Sequence, residues 1–430
     1  MKFQILGAFF GAVAANALID PTKFDLGGMK FPDLSGFDIG SVKQEKVDAV
    51  TKPIASKPGL KSENKEVCEE SLLAIWRGEL EQSAGLQNDG DEYIFQLETD
   101  MNTFIQGGRL TSTRVTLNTG FESQDTVVIV GDYAYIAVDA SGVLSFLFVL
   151  DKKTLNFVKV IPLRAPVVNG DPGPSCGFPL WLTVTDDAKT AYVSCDDIFI
   201  VDLVLGRVTD RLRNTEVATN PEMPRRTIRV GDSLYVIYTD GAQQRLACWD
   251  LTDNTVGSSI WIDDADPNAG FEAYDFTIIG DRAYISGGVE PSVLVADISD
   301  CDNIIPLPSE VITGLATDGG ITNDDSCILS LGVDTLFVGT DKALNKITKV
   351  DTSLPEVFSI STQSRPRGCE LSPNGKFFFY LDNDESFIQY DTTDLAIVGG
   401  VYFPEDARAF ALNPDAFEGD DKVKKCGDRS

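Results

Sequence analysis

Between about residue 91 and residue 415 the hydrophobic positions come in short runs, each cut off by Gly, Asn, Asp or Pro. The clearest case is Arg367 to Pro404, where CELS ends at Pro-Asn-Gly, FFFYL at Asp-Asn-Asp-Glu-Ser and FIQY at Asp-Thr-Thr-Asp, before AIVGGVYF. Runs this short, rich in aromatic and β-branched residues and punctuated by turn formers, predict an antiparallel four-stranded meander. One such sheet cannot be stable alone, so copies must pack face to face.

The pattern repeats. Aromatic strands are predicted around Tyr135, Tyr192, Tyr235, Tyr284, Phe337 and Phe378. Each third strand ends in an aspartate that opens the next turn: Asp151, Asp202, Asp250, Asp297, Asp351 and Asp391. These aspartates stand 40 to 54 residues apart, the length of a propeller blade. After six units the chain offers one more inner strand, Ala409 to Asn413. The three strands it lacks are expected from the other end of the repeats, at Tyr93, Thr103 and Thr113. The expected fold is therefore all-β: a seven-bladed β-propeller of four-stranded antiparallel blades, closed by one C-terminal and three N-terminal strands, with no free sheet edge.

Upstream the pattern changes. Met1 and Lys2 precede the apolar run ILGAFFGAVAA and the small-residue site Ala15-Asn16-Ala17, which predicts a signal peptide over residues 1–17. Residues 18–62 carry few periodic positions and predict a poorly structured leader. Over 63–90, CEESLLAIWRGELEQ follows Ser62 and Glu66 with helical spacing and predicts a short helical segment. The propeller is expected over 91–415, and 416–430 forms a C-terminal tail.

Composition narrows the chemistry. Among 430 residues there are 66 acidic and 36 basic side chains, for a net charge of −30 and no histidine. Without histidine, Ser-His-Asp and Cys-His catalysis and every His-ligated metal site are excluded. The acidic excess repels nucleic acid and anionic lipid, so the expected partners are a small molecule, a cation or a basic protein surface. No stretch after the N-terminal run is long and apolar enough to span a membrane. Eight cysteines, an even number, suit an oxidising, extracellular compartment.

The motif Arg367-Gly368-Cys369-Glu370-Leu371-Ser372-Pro373-Asn374-Gly375-Lys376 resembles the start of YVTN and lactonase-like propeller repeats. Ala191 to Asp202, AYVSCDDIFIVD, is similar to the companion half, and the resemblance covers about residues 90 to 414. It implies the fold rather than an activity, because its relatives include surface-layer proteins, lactonases and quinoprotein-like dehydrogenases.

Two sets of charged residues are the candidate sites. Carboxylates head the loops from strand two to strand three: Asp139, Asp196, Asp240, Glu290, Asp341 and Asp382. They either bind calcium, the one candidate cofactor, or simply open hairpins. Arg226, Glu272, Asp325, Arg367 and Arg408 stand at the starts of inner strands, where they would ring the channel mouth. Such residues bind a ligand, with arginine clamping a carboxylate, or bridge neighbouring blades. No catalytic residue is assigned. The expected function is a secreted binding or extracellular-matrix-type module; the alternative is a lactonase-like hydrolase or isomerase using calcium in the channel. Blade geometry pairs the cysteines as Cys68–Cys426, Cys176–Cys195, Cys248–Cys301 and Cys327–Cys369.

Overall fold

A computed structural model of the chain describes most of residues 127–412, together with the backbone of four strands nearer the N-terminus. These are β1 (Gln44–Ala49), β2 (Leu72–Glu79), β3 (Glu92–Thr99) and β4 (Leu110–Leu117). Six antiparallel four-stranded sheets follow. They are β5–β8 (Val127–Val130, Tyr133–Ala140, Leu144–Asp151, Phe157–Pro162) and β9–β12 (Trp181–Val184, Thr190–Ser194, Ile198–Asp202, Arg207–Leu212). Next come β13–β16 (Pro224–Val230, Ser233–Asp240, Gln243–Asp250, Thr255–Trp261) and β17–β20 (Ala273–Ile279, Arg282–Gly287, Ser292–Asp297, Ile305–Pro306). The last two are β21–β24 (Cys327–Leu331, Thr335–Thr340, Ala343–Thr348, Glu356–Ser361) and β25–β28 (Pro366–Leu371, Phe377–Asp382, Ser386–Asp391, Ile397–Tyr402). A final strand, β29 (Asp406–Leu412), joins the N-terminal strands in a five-stranded sheet ordered β1-β4-β3-β2-β29.

The fold is thus an all-β propeller with six four-stranded blades, where the sequence led us to expect seven. Two corrections follow from the five-stranded sheet, the first that Gln44–Ala49, within the expected leader, is a strand paired with β4. Leu72–Glu79 is a strand, not part of a helix, and it pairs with β29 from Ala74↔Leu412 to Glu79↔Asp406. Its apolar run LLAIW is too short for period to separate helix from strand, and Gly78 weakens a helix interior. The strand expected at Thr103 lies outside the described residues.

Cross-strand register makes the repeats equivalent. Tyr135, Tyr192, Tyr235, Tyr284, Phe337 and Phe379 are buried at the same level of strand two. The aspartates that end strand three build turns. Asp202, Asp250, Asp297 and Asp391 each accept a backbone N–H two or three residues on, at 2.7 to 2.9 Å. The motif behind the family resemblance is likewise a turn: Ser372 Oγ accepts Phe377 N–H at 2.9 Å, and Asn374 Oδ1 accepts Lys376 N–H at 3.1 Å. Thr185 and Asp187 reproduce it in the second blade, with Thr190 N–H at 3.0 Å and Lys189 N–H at 3.1 Å.

The core lies between blades. Even-numbered side chains of β26 and β27 (Phe378, Tyr380, Ile388, Tyr390) pack with Phe337 and Leu344 of the blade before. The opposite face carries Phe379 and Phe387, whose ring meets Phe410 of β29 edge-on at 4.9 Å. Each inner strand touches the next, from β5 through β9, β13, β17, β21 and β25 to β29, and β29 also touches β5.

Candidate functional site at the inner strands

Three inner strands begin with an irregular step. The register shifts between Pro224 and Thr227 in β13, between Ala273 and Asp275 in β17, and between Pro366 and Gly368 in β25. In β13 and β25 a proline that cannot donate to the ladder opens the step, and in all three a bulged residue re-aims the side chains. Arg226 and Arg367 occupy two of these steps.

Arg226 lies over the Trp181 ring, its guanidinium carbon 4.7 Å from the centroid, and pairs with the carboxylate of Asp275. Asp275 is 4% exposed. It accepts Phe276 N–H at 2.7 Å and, from the next blade, Ile328 N–H at 3.0 Å. Burial pushes its carboxyl up to about 6, against the pull of Arg226 and the two amides. Trp181, Arg226, Asp275 and Ile328 belong to four successive inner strands, so one polar chain straps four blades together. Hydroxyl contacts run beside it: Thr183 to Thr227 at 2.7 Å and Thr277 to Ser330 at 3.1 Å. Chemically, this arrangement holds blades in register. Both oxygens of Asp275 are engaged within the protein, while Arg226 Nε is buried without a hydrogen-bond partner.

Of the other mouth candidates, Arg367 is half-buried in β25. Arg408 is in β29 with its side chain outside the described residues, and Glu272 and Asp325 lie outside them entirely. The strand-two carboxylates are more dispersed. Asp139, Asp240 and Asp382 stand in the last two positions of β6, β14 and β26, their side chains outside the described residues, as is Glu290. Asp196 is exposed just after β10. Its neighbour Asp197 does the local binding, with Arg211 at 2.8 Å and Asn214 N–H at 2.9 Å. Asp341 is half-buried after β22, and Arg365 Nε lies 3.8 Å from its Oδ1. Among the described residues no three Cys, Asp or Glu side chains are grouped so as to hold a metal ion.

Sequence reasoning missed Asp275, Trp181 and Glu370. Asp275 carried a signal, a lone aspartate inside the apolar run AYDFTII. Glu370 is held at the joint between β25 and β29, where Leu412 N–H donates to its Oε2 at 2.8 Å. Burial raises its carboxyl to about 8.

Cystine bridges fix the same interfaces. Cys176 and Cys195 are bonded within the second blade, with α-carbons 5.4 Å apart. Cys248–Cys301 joins the third blade to the fourth, and Cys327–Cys369 the fifth to the sixth. Cys68 and Cys426 lie outside the described residues. Among the described residues no helix is long and apolar enough to cross a membrane.

No family model matches the sequence, and no curated protein matches it either. Solved structures do. A candidate 6-phosphogluconolactonase from Bacteroides fragilis superposes with a TM-score of 0.54 at 15% identity, covering 81% of this chain and all of the other. A second candidate 6-phosphogluconolactonase, from Bacteroides uniformis, gives 0.53 at 13% identity over 80% of this chain and all of its own. Kuenenia stuttgartiensis hydrazine synthase gives 0.51 at 15% identity over 73% of this chain and 99% of its own. At such identities the likeness defines the class, a β-propeller. The 6-phosphogluconolactonase-like structures accord with the lactonase-like resemblance of the repeats, while YVTN membership has no matching family model.

Proposed function

We propose that this chain is a secreted, acidic propeller that acts as a binding module, taking a cationic ligand or basic protein surface at the rim formed by its strand-two-to-three loops. The observation that carries this reading is the Arg226–Asp275 pair. Arg226 and Asp275 neutralise each other at the inner strands, and Asp275 also accepts two backbone amides. The proposed contact surface is the set of carboxylates at the ends of strand two, one of which, Asp341, also lies 3.8 Å from Arg365, on a chain of net charge −30. Fields of this kind speed and steer association with an oppositely charged partner. Three bridges and an even cysteine count support an oxidising, extracellular setting.

The same reading takes the ring of six blades to be closed by the five-stranded sheet. Its support is β29, which touches β25 on one side and β5 on the other.

The likeness to candidate 6-phosphogluconolactonases favours one other reading, a lactone hydrolase with a carboxylate-held calcium. Calorimetric titration with a short oligolysine and with calcium, beside a lactone-hydrolysis assay, separates the two. The binding reading predicts salt-sensitive oligolysine binding weakened by Asp196→Asn with Asp341→Asn, and no turnover. Calcium-dependent turnover with no oligolysine binding would replace it by the second reading.

A further inference from the structure

The sixth blade shows the closing sheet an unusual face. In its register Glu370 stands opposite Phe379, and Phe379 opposite Gln389, which stands opposite Gly399. This cross-strand row lies on one side of the blade, the side whose Phe387 meets Phe410 of β29. The residues of other inner strands opposite the same aromatic are Val128, Thr183, Ile228, Thr277 and Leu329, so Glu370 is the one ionisable residue at this inner-strand position in the six blades. Glu370 is half-buried, and its carboxyl faces β29, with Oε2 bonded to Leu412 N–H. Gln389 is fully buried, and neither its carbonyl nor its amide nitrogen has a hydrogen-bond partner. The covering strand thus encloses two polar side chains and satisfies one of them, which makes this joint costly to close. Phe410 is seated beside Gly368, where an added Cβ would stand 3.5 Å from its ring.

We propose that Glu370 is a proton-dependent latch on the C-terminal strand, so that the ring loosens at the β25–β29 joint when this carboxyl ionises. A neutral carboxyl sits in the enclosed site and still accepts the Leu412 amide through its carbonyl oxygen. A carboxylate there has one backbone amide, beside Phe379 and Gln389 of its own row and the rings of Phe387 and Phe410. The charged residues on the strands packed around it are Arg367 on β25, Asp382 on β26, Asp391 on β27, Asp406 and Arg408 on β29, and Arg77 and Glu79 on β2. The direction follows from linkage. The closed joint binds the proton more tightly than the open one, whose carboxyl has its ordinary value, so opening grows as pH rises towards about 8 and levels off above it.

The test is amide hydrogen exchange on the full oxidised chain, expressed as protection relative to the unfolded peptides at the same pH. Between about pH 6.5 and 8, protection of the Phe410–Leu412 peptide is expected to fall by up to about tenfold per pH unit, the limit for one proton. Protection of β10 in the second blade is expected to stay level. Glu370→Gln, which keeps the shape and the acceptor, should abolish the pH slope at β29. An unchanged slope in Glu370→Gln would overturn the latch. Should that variant not fold, an equal fall at β29 and β10 in the unmodified chain would overturn it, and a fall confined to β29 would support it.

Discussion

Tyr235 of β14 donates its hydroxyl to the main-chain carbonyl of Ile298, 2.9 Å away in the following blade. A few residues on, Cys248 is bonded to Cys301 across the same boundary. The described blades are therefore joined by polar and covalent ties set in otherwise apolar faces. In the remaining interfaces Lys159 reaches the Leu203 carbonyl at 2.7 Å, Asn254 reaches Asp210 at 2.8 Å, Thr277 reaches Ser330 at 3.1 Å and Lys346 reaches the Thr393 carbonyl at 2.8 Å. A ring built this way resists slippage at each boundary, and its function can sit on loops that the ties leave alone.

The Arg226–Asp275 pair should show the asymmetry of buried ion pairs. Arg226→Met leaves an enclosed carboxylate and is expected to cost about 3 kcal/mol or more, whereas the double variant Arg226→Met/Asp275→Leu should cost much less. Urea unfolding of the single and double variants measures it. Equal losses in the two would show that the pair is not coupled.

Ala188 has φ +53° in the turn where the sixth blade has Gly375 at +69°. The left-handed region is costly for a residue with a Cβ, so Ala188→Gly should stabilise the protein by about 1 kcal/mol. The reverse change, Gly375→Ala, adds a Cβ 2.6 Å from Leu331 Cδ1 and should destabilise by more. Thermal unfolding of both variants checks the sign.

Gly257 passes close to the third interblade boundary. A Cβ there would stand 2.6 Å from the Cys301 carbonyl oxygen and 2.8 Å from its sulfur. Gly257→Ala should therefore displace Cys301 and cost about 1–3 kcal/mol, as overpacking does. Loss of the bridge itself, by Cys248→Ala with Cys301→Ala, frees partners 53 residues apart in sequence. That should cost about 4 kcal/mol on loop-closure grounds. Denaturant unfolding, with a count of free thiols, distinguishes the two effects.

Acidity sets a stability window. Asp275 and Glu370 have folded values raised to about 6 and about 8, so each binds its proton more tightly when folded. Their contribution is fully present below the ordinary carboxyl range, and is lost as pH rises through about 6 and then about 8. Asp187 is held at about 2 by its bonds to Lys189 and Thr185, and acts in the opposite sense below the ordinary range. Unfolding free energy should peak near pH 4–5 and decline towards pH 8, with Asp275→Asn removing the earlier part of the decline. A profile that rises from pH 5 to 8 would contradict these assignments.

Much of the blade pattern was legible because each strand is short, alternating and ended by a turn former. Tyr235 and Tyr284 marked strand two, and Asp250 and Asp297 marked the turn after strand three, for reasons of backbone chemistry that need no tertiary context. Leu72–Glu79 was not legible as a strand, because local spacing suits either element and one of its two partners, β29, is more than 320 residues away. Arg226 was placed at an inner strand by its position, but its partner was not, since Asp275 reaches it only through a bulge. Glu370 was hidden inside a motif whose other members make a turn. Only the register, which sets it opposite Phe379 where other blades carry Val, Thr, Ile or Leu, shows that its place is unusual.

The central claim, that this propeller binds a basic partner at its rim while its Arg226–Asp275 pair is internal, is tested most directly by carbodiimide labelling of carboxylates with and without oligolysine. Asp196 and Asp341 should label in the free protein and be protected by the peptide, while Asp275 stays unlabelled in both. Labelling of Asp196 and Asp341 that does not change when the peptide is added would contradict the account.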